Sequence, residues 1–141
     1  MSALAFPEGA APKVPGVTGV QIDHFALPAR DADWSARYLA TLLGDVEARA
    51  AGPDGDMCEL LLDHGATLLY MTAPEVARGH VALRVDAERF GHVVDELRER
   101  AVPFGNDPAD PANGRTEDCL GGAGRIYFTD PDGHLIEIVT G

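Results

Sequence analysis

The sequence predicts an α+β fold of two paired βαβββ modules whose sheets face each other across a cleft. Three observations predict it. The words His24-x-Ala26-Leu27 and His80-x-Ala82-Leu83 repeat at a spacing of 56 residues, from position 24 to position 80. Each is followed by an Asp-led amphipathic segment. Each amphipathic segment is followed by short apolar runs broken by turn residues. A unit of this kind has one apolar sheet face and one apolar helix stripe, which two copies bury together.

The elements follow in order. Residues 1–16 are rich in Ala, Pro and Gly and read as a flexible N-terminal arm. A single domain is expected over 17–141, with module 1 at about 17–73 and module 2 at about 78–141. The first strand is Val20 to Leu27, by its apolar content and length. Asp31 and Asp33 offer N-caps to a helix carrying Trp34, Tyr38, Leu39 and Leu42 at helical spacing, and Gly44 ends it. A strand near Val46 to Ala50 precedes two others, Met57 to Leu62 and Thr67 to Met71, which a tight turn at His64-Gly65 connects.

The second module opens on the strand His80 to Val85. Asp86 caps a helix whose buried stripe is Phe90, Val93, Val94 and Leu97. A short strand near Val102 to Phe104 leads into a Pro/Gly-rich loop from Asn106 to Gly124. The last strands, Arg125 to Thr129 and His134 to Thr140, are joined by Asp130-Pro131-Asp132-Gly133, which fits a type I turn.

Composition narrows the function. With 23 acidic and 11 basic side chains the net charge is −12. A surface of that sign repels phosphate backbones, so nucleic acid is excluded as a partner. No apolar run approaches the roughly 18 residues of a membrane span. No secretory signal is read at the start, so a cytoplasmic protein is expected. Cys58 and Cys119 lack metal-ligand spacing and read as small hydrophobes.

Side chains alternate across a strand, so His24, His80 and Glu137 each face one side of their strands. The two histidines hold matching places in a duplicated unit. Glu137 lies between Ile136 and Ile138, where a lone buried carboxylate is costly unless it is paired, coordinated or neutralised. Singly, each of the three reads as an ordinary core or surface residue. Together they read as ligands of one divalent ion with coordination positions left open. His64, His92 and His134 read as structural or exposed.

The stretch Gly124-Arg125-Ile126-Tyr127-Phe128-Thr129-Asp130-Pro131-Asp132-Gly133-His134-Leu135-Ile136-Glu137-Ile138 resembles the vicinal-oxygen-chelate superfamily. That superfamily includes glyoxalase I, bleomycin- and fosfomycin-resistance proteins and extradiol dioxygenases. The His24 strand, the helix ending in Leu42-Leu43-Gly44 and the His80 strand extend the resemblance to nearly all of Val20 to Gly141. It implies metal ligation by His24, His80 and Glu137, a homodimer, and a small substrate that chelates the ion (Mn, Fe, Ni, Co or Zn) through neighbouring oxygens. It also implies catalytic roles for Tyr127, as a cleft tyrosine or else a core aromatic, and for Arg125 and Arg115 as charge partners of the substrate. Matching Gly65 to Gly133 sets Leu69 opposite Glu137, where glyoxalase I has a fourth ligand. The likeness to the fosfomycin-resistance group implies lyase, isomerase or transferase chemistry. The alternatives are an extradiol-type dioxygenase and a metal-free drug-binding protein.

Overall fold

Strand β1 (His24–Ala29) starts four residues after Val20. Val20 and Ile22 lie ahead of it with their side chains in solvent. The computed structural model describes residues 18–141, so the arm expected over 1–16 lies outside the described residues.

Helix α1 (Ala32–Leu43) is capped by Asp31, whose side chain accepts from the Trp34 N–H at 3.1 Å. Gly44 ends it with φ 75°, a conformation that costs glycine little. Trp34 stays half exposed and stacks on Tyr38 at 5.3 Å. The buried stripe runs instead through Ala36, Leu39, Leu42 and Leu43.

Strands β2 (Ala48–Ala51), β3 (Met57–Leu61) and β4 (Thr67–Thr72) complete the first module in the order β1-β4-β3-β2. The turn between β3 and β4 places His64 at φ 62° and Gly65 at φ 81°, the left-handed pair a tight hairpin needs.

The second module comprises β5 (His80–Val85), α2 (Ala87–Glu99), β6 (Gly124–Thr129) and β7 (Leu135–Thr140), with sheet order β5-β7-β6. Asp86 caps α2 by accepting from the Arg89 N–H. Val93, Val94 and Leu97 are buried and Phe90 half-buried. The strand expected near Val102 to Phe104 is absent. Pro103 has no N–H to give a ladder. Only Gly105 pairs with the sheet, exchanging two backbone bonds with Tyr127 at 3.1 and 2.7 Å. Gly114 then takes the Phe104 carbonyl and turns the chain away.

Registers make the two modules equivalent. β1 runs parallel to β4 with His24 opposite Thr67 and Ala26 opposite Leu69. β5 runs parallel to β7 with His80 opposite Leu135 and Ala82 opposite Glu137. One face of each sheet packs on the helices through Leu60, Leu68, Ile126, Phe128, Ile136 and Ile138, all fully buried. Each such side chain contributes about 1.5–3 kcal/mol of burial. The opposite face carries His24, His80 and Glu137, with the two histidines exposed and Glu137 buried.

His134 holds the modules together. Its Nε2–H donates to the Pro28 carbonyl of β1 at 2.6 Å, and its Nδ1 accepts from the Gly79 N–H at 2.9 Å. Beside it, Asp132 accepts from the Arg30 N–H and the Ser35 hydroxyl of the first module.

Candidate functional site

The open face of the second sheet gathers four polar side chains from three strands. β7 presents Glu137, β5 presents His80, and β6 presents Tyr127 and Arg125. Because Tyr127 is the register partner of Glu137, its side chain lies on the same face. Glu137 is only 8% exposed although it faces away from the helices. Its Oε1 lies 3.0 Å from His80 Nε2, and its Oε2 accepts from the Arg125 guanidinium. The Tyr127 ring meets the His80 ring edge-on, with centroids 6.4 Å apart. Burial pushes the Tyr127 phenol above its ordinary value, and the neighbouring Glu137 charge adds to that. The hydroxyl is therefore a proton donor at neutral pH.

Arg125 does not point freely into the site. Its Nε donates to Asp118 Oδ1 at 2.9 Å, so two carboxylates hold one guanidinium. Asp118 is itself fixed by the Leu120 and Gly122 N–H groups at 2.9 and 3.1 Å. The Arg125 bond, helped by the Leu120 N–H, holds the Asp118 carboxyl below the usual carboxylate range. In the sequence Asp118 is one carboxylate of the Asn106 to Gly124 loop, and Arg115 is that loop's expected charge partner for the substrate. In the structure Arg115 is exposed, and Asp118 is bonded to Arg125 of the site. The spacing Asp118 to Arg125, across a loop ending at a strand start, was the one available signal.

His24 stands apart from the other two residues expected with it. It lies at the position in β1 that His80 holds in β5, but its side chain is 57% exposed and bonded to Asp23. Within one chain the ligand atoms of His24, His80 and Glu137 do not gather within 4.8 Å. His80 and Glu137 fit a metal in chemistry and in spacing. Two ligands at about 2.1 Å from an ion and at right angles to each other lie about 3 Å apart.

Among the described residues, one cluster of three metal-type side chains does gather: Asp130, Asp132 and His134. It does not fit a metal. Both His134 ring nitrogens are engaged with backbone, Asp130 accepts two N–H groups within the turn, and Asp132 accepts from Arg30 and Ser35 of the first module. Burial pushes the Asp130 carboxyl up, against the opposing pull of the His134 N–H. The cluster is a structural knot.

A cavity of about 720 Å³ opens between the modules rather than over Glu137. Phe25, Leu43, Val81, Leu83 and Val85 line it, mostly with apolar atoms. His80 reaches its edge, but Glu137, Tyr127 and Arg125 do not.

The profile of the Glyoxalase/Bleomycin resistance protein/Dioxygenase superfamily matches residues 21–138. The chain belongs to that superfamily. It is similar to the solved structure of oxidase ChaP-H1, with 31% identity over 87% of this chain and 97% of that one and a TM-score of 0.78. Oxidase ChaP-H2 is 30% identical over 88% and 95%, also with a TM-score of 0.78. FosX, a fosfomycin resistance protein of Listeria monocytogenes solved with Mn(II) and sulfate, shares the fold at 19% identity over 89% and 91%, with a TM-score of 0.60. Among the described residues no helix is long and apolar enough to cross a membrane.

Proposed function

We propose that the protein is a metal-dependent oxidase that uses dioxygen on a small substrate bearing two neighbouring oxygens. We further propose that each metal site is shared between two copies of the chain. The carrying observation is the split of the three candidate ligands. His80 and Glu137 lie 3.0 Å apart on the open face of one sheet, while His24 sits alone at the equivalent place on the other. A second copy that lays its first sheet over the open face of β5, β7 and β6 brings its own His24 to the pair. Exposed Val20 and Ile22, just ahead of His24, give such a contact an apolar margin.

A bound Fe(II) or Mn(II) would supply Lewis acidity and redox access to dioxygen. The chain's own residues do the rest. Glu137 and His80 present one anionic and one neutral donor. The protonated Tyr127 hydroxyl donates to a substrate oxygen that gains negative charge. Arg125 offsets the Glu137 charge, so the buried carboxylate is tolerated before any ion binds. The preference for oxygen chemistry, over the lyase and transferase chemistry of the fosfomycin-resistance likeness, rests on the identity to two proteins named oxidases.

The test is oxygen uptake. Catechols and related aromatic diols should draw oxygen when the protein is loaded with Fe(II) or Mn(II), and not when it is loaded with Zn. Turnover of an epoxide with thiol and Mn(II), indifferent to oxygen, would replace this reading with a resistance transferase. Tight binding of an intact aromatic compound by metal-free protein, without turnover, would replace it with a drug-binding protein.

A further inference from the structure

Glu137 has two carboxylate oxygens, and the structure treats them differently. Oε1 faces His80 at 3.0 Å, and Oε2 is taken by Arg125. Arg125 is in turn held by Asp118 at 2.9 Å through Nε and at 3.4 Å through the second guanidinium nitrogen. The anchor is firm at its far end, because the Asp118 side chain is only 4% exposed and accepts two backbone N–H groups. The chain of bonds therefore runs from the loop, through Asp118 and Arg125, to one chosen oxygen of Glu137. A fork of N–H donors locked at two carboxylates has little freedom to swing away.

We propose that Arg125, locked by Asp118, is a positioning residue that confines Glu137 to a single donor oxygen and so keeps one more coordination position open for substrate. The inference rests on the metal-site reading above. A free carboxylate beside a divalent ion can bind through one oxygen or both. Occupying Oε2 with a guanidinium removes the second mode. The same positive charge, one carboxylate away from the ion, also weakens its hold. Both effects predict that removing Arg125 tightens metal binding while closing a position, the reverse of what mere structural damage does. Asp118 then serves a purpose at the site without touching metal or substrate.

The experiment uses Mn(II) alone as probe, on the full-length protein. Affinity is read by paramagnetic resonance, and the number of exchangeable inner waters by water-proton relaxation. Parent protein should hold about three inner waters, as three protein ligands on an octahedral ion leave. Arg125→Gln should hold about two and bind Mn(II) about tenfold more tightly. Arg125→Lys, which keeps a positive donor, should fall between. Asp118→Asn keeps Arg125 but loosens it, and it should shift in the same direction by a smaller factor. It also serves if Arg125→Gln does not fold. Parent that binds Mn(II), with variants of equal hydration and equal or weaker affinity, overturns the inference and leaves the metal site standing. Parent that binds no Mn(II) overturns the metal-site reading, and the inference with it.

Discussion

Leu69 and Glu137 hold the same place in their two sheets. Leu69 pairs with Ala26 two residues beyond His24, and Glu137 pairs with Ala82 two residues beyond His80. The equivalence extends one strand further, since Glu59 faces Leu69 as Tyr127 faces Glu137. Glu59 is paired with Arg49 at 2.6 Å, so the first sheet keeps a carboxylate one strand away from the position where glyoxalase I has its extra ligand.

Replacing Leu69 tests whether the two open faces meet. In a shared site Leu69 belongs to the sheet that supplies His24, and Leu69→Glu adds a fourth ligand. Calorimetric titration should then show Ni(II) or Zn binding tightened by about tenfold. An unchanged affinity in a folded variant would mean that the first sheet does not cover Glu137.

Mixing two inactive variants tests the sharing directly. His24→Ala and Glu137→Gln should each fold, as judged by circular dichroism, and each should lose stoichiometric metal and turnover. Unfolded and refolded together, they should recover about a quarter of parental sites, because half the dimers are mixed and each of those has one intact site. Sites contained within one chain would recover nothing. Light scattering should report a dimer in the parent.

The His134 peg gives a stability prediction. His134→Leu leaves the Pro28 carbonyl and the Gly79 N–H without their partner. Losing two buried bonds of this kind costs about 2–4 kcal/mol. Denaturant unfolding should report that loss, with stoichiometric metal binding by the folded fraction retained. Loss of metal with unchanged stability would instead make Asp130, Asp132 and His134 the metal site.

The Asp118–Arg125 bond makes a pH prediction. The folded Asp118 carboxyl titrates below its unfolded value. The folded chain thus binds fewer protons than the unfolded chain in that window, and the bond stabilises the fold fully only above the ordinary carboxylate value near about 4. As pH falls through the lowered folded value, that contribution disappears. The melting temperature of Asp118→Asn should therefore lie below the parent's at pH 7 and approach it below about pH 4. A gap that stays constant into acid would contradict the pairing.

Much of this arrangement is legible in the sequence. Asp31 and Asp86 sit where N-caps are read, Gly44 where a helix stop is read, and the doubled His-x-Ala-Leu word fixes the equivalence of β1 and β5. The side of the strand that Glu137 occupies follows from simple alternation. What the sequence hid depends on contacts distant along the chain. Pro103 deletes a strand that the apolar run around it suggests. Trp34 leaves the core because the stripe of α1 is centred on alanines and leucines. Asp118 looks like any loop carboxylate until β6 brings Arg125 beside it. His24 stands apart from His80 and Glu137, because β1 belongs to one sheet and β5 and β7 to the other.

In the Asp-Pro-Asp-Gly turn Asp130 braces the turn itself, while Asp132 and the following His134 fasten it to the first module at Pro28, Arg30 and Ser35. The contacts of Glu137 and Tyr127, with His80 and Arg125, are separate from that fastening. The turn thus fixes how the two halves sit together, and it does so without using the side chains of the sheet face that carries Glu137.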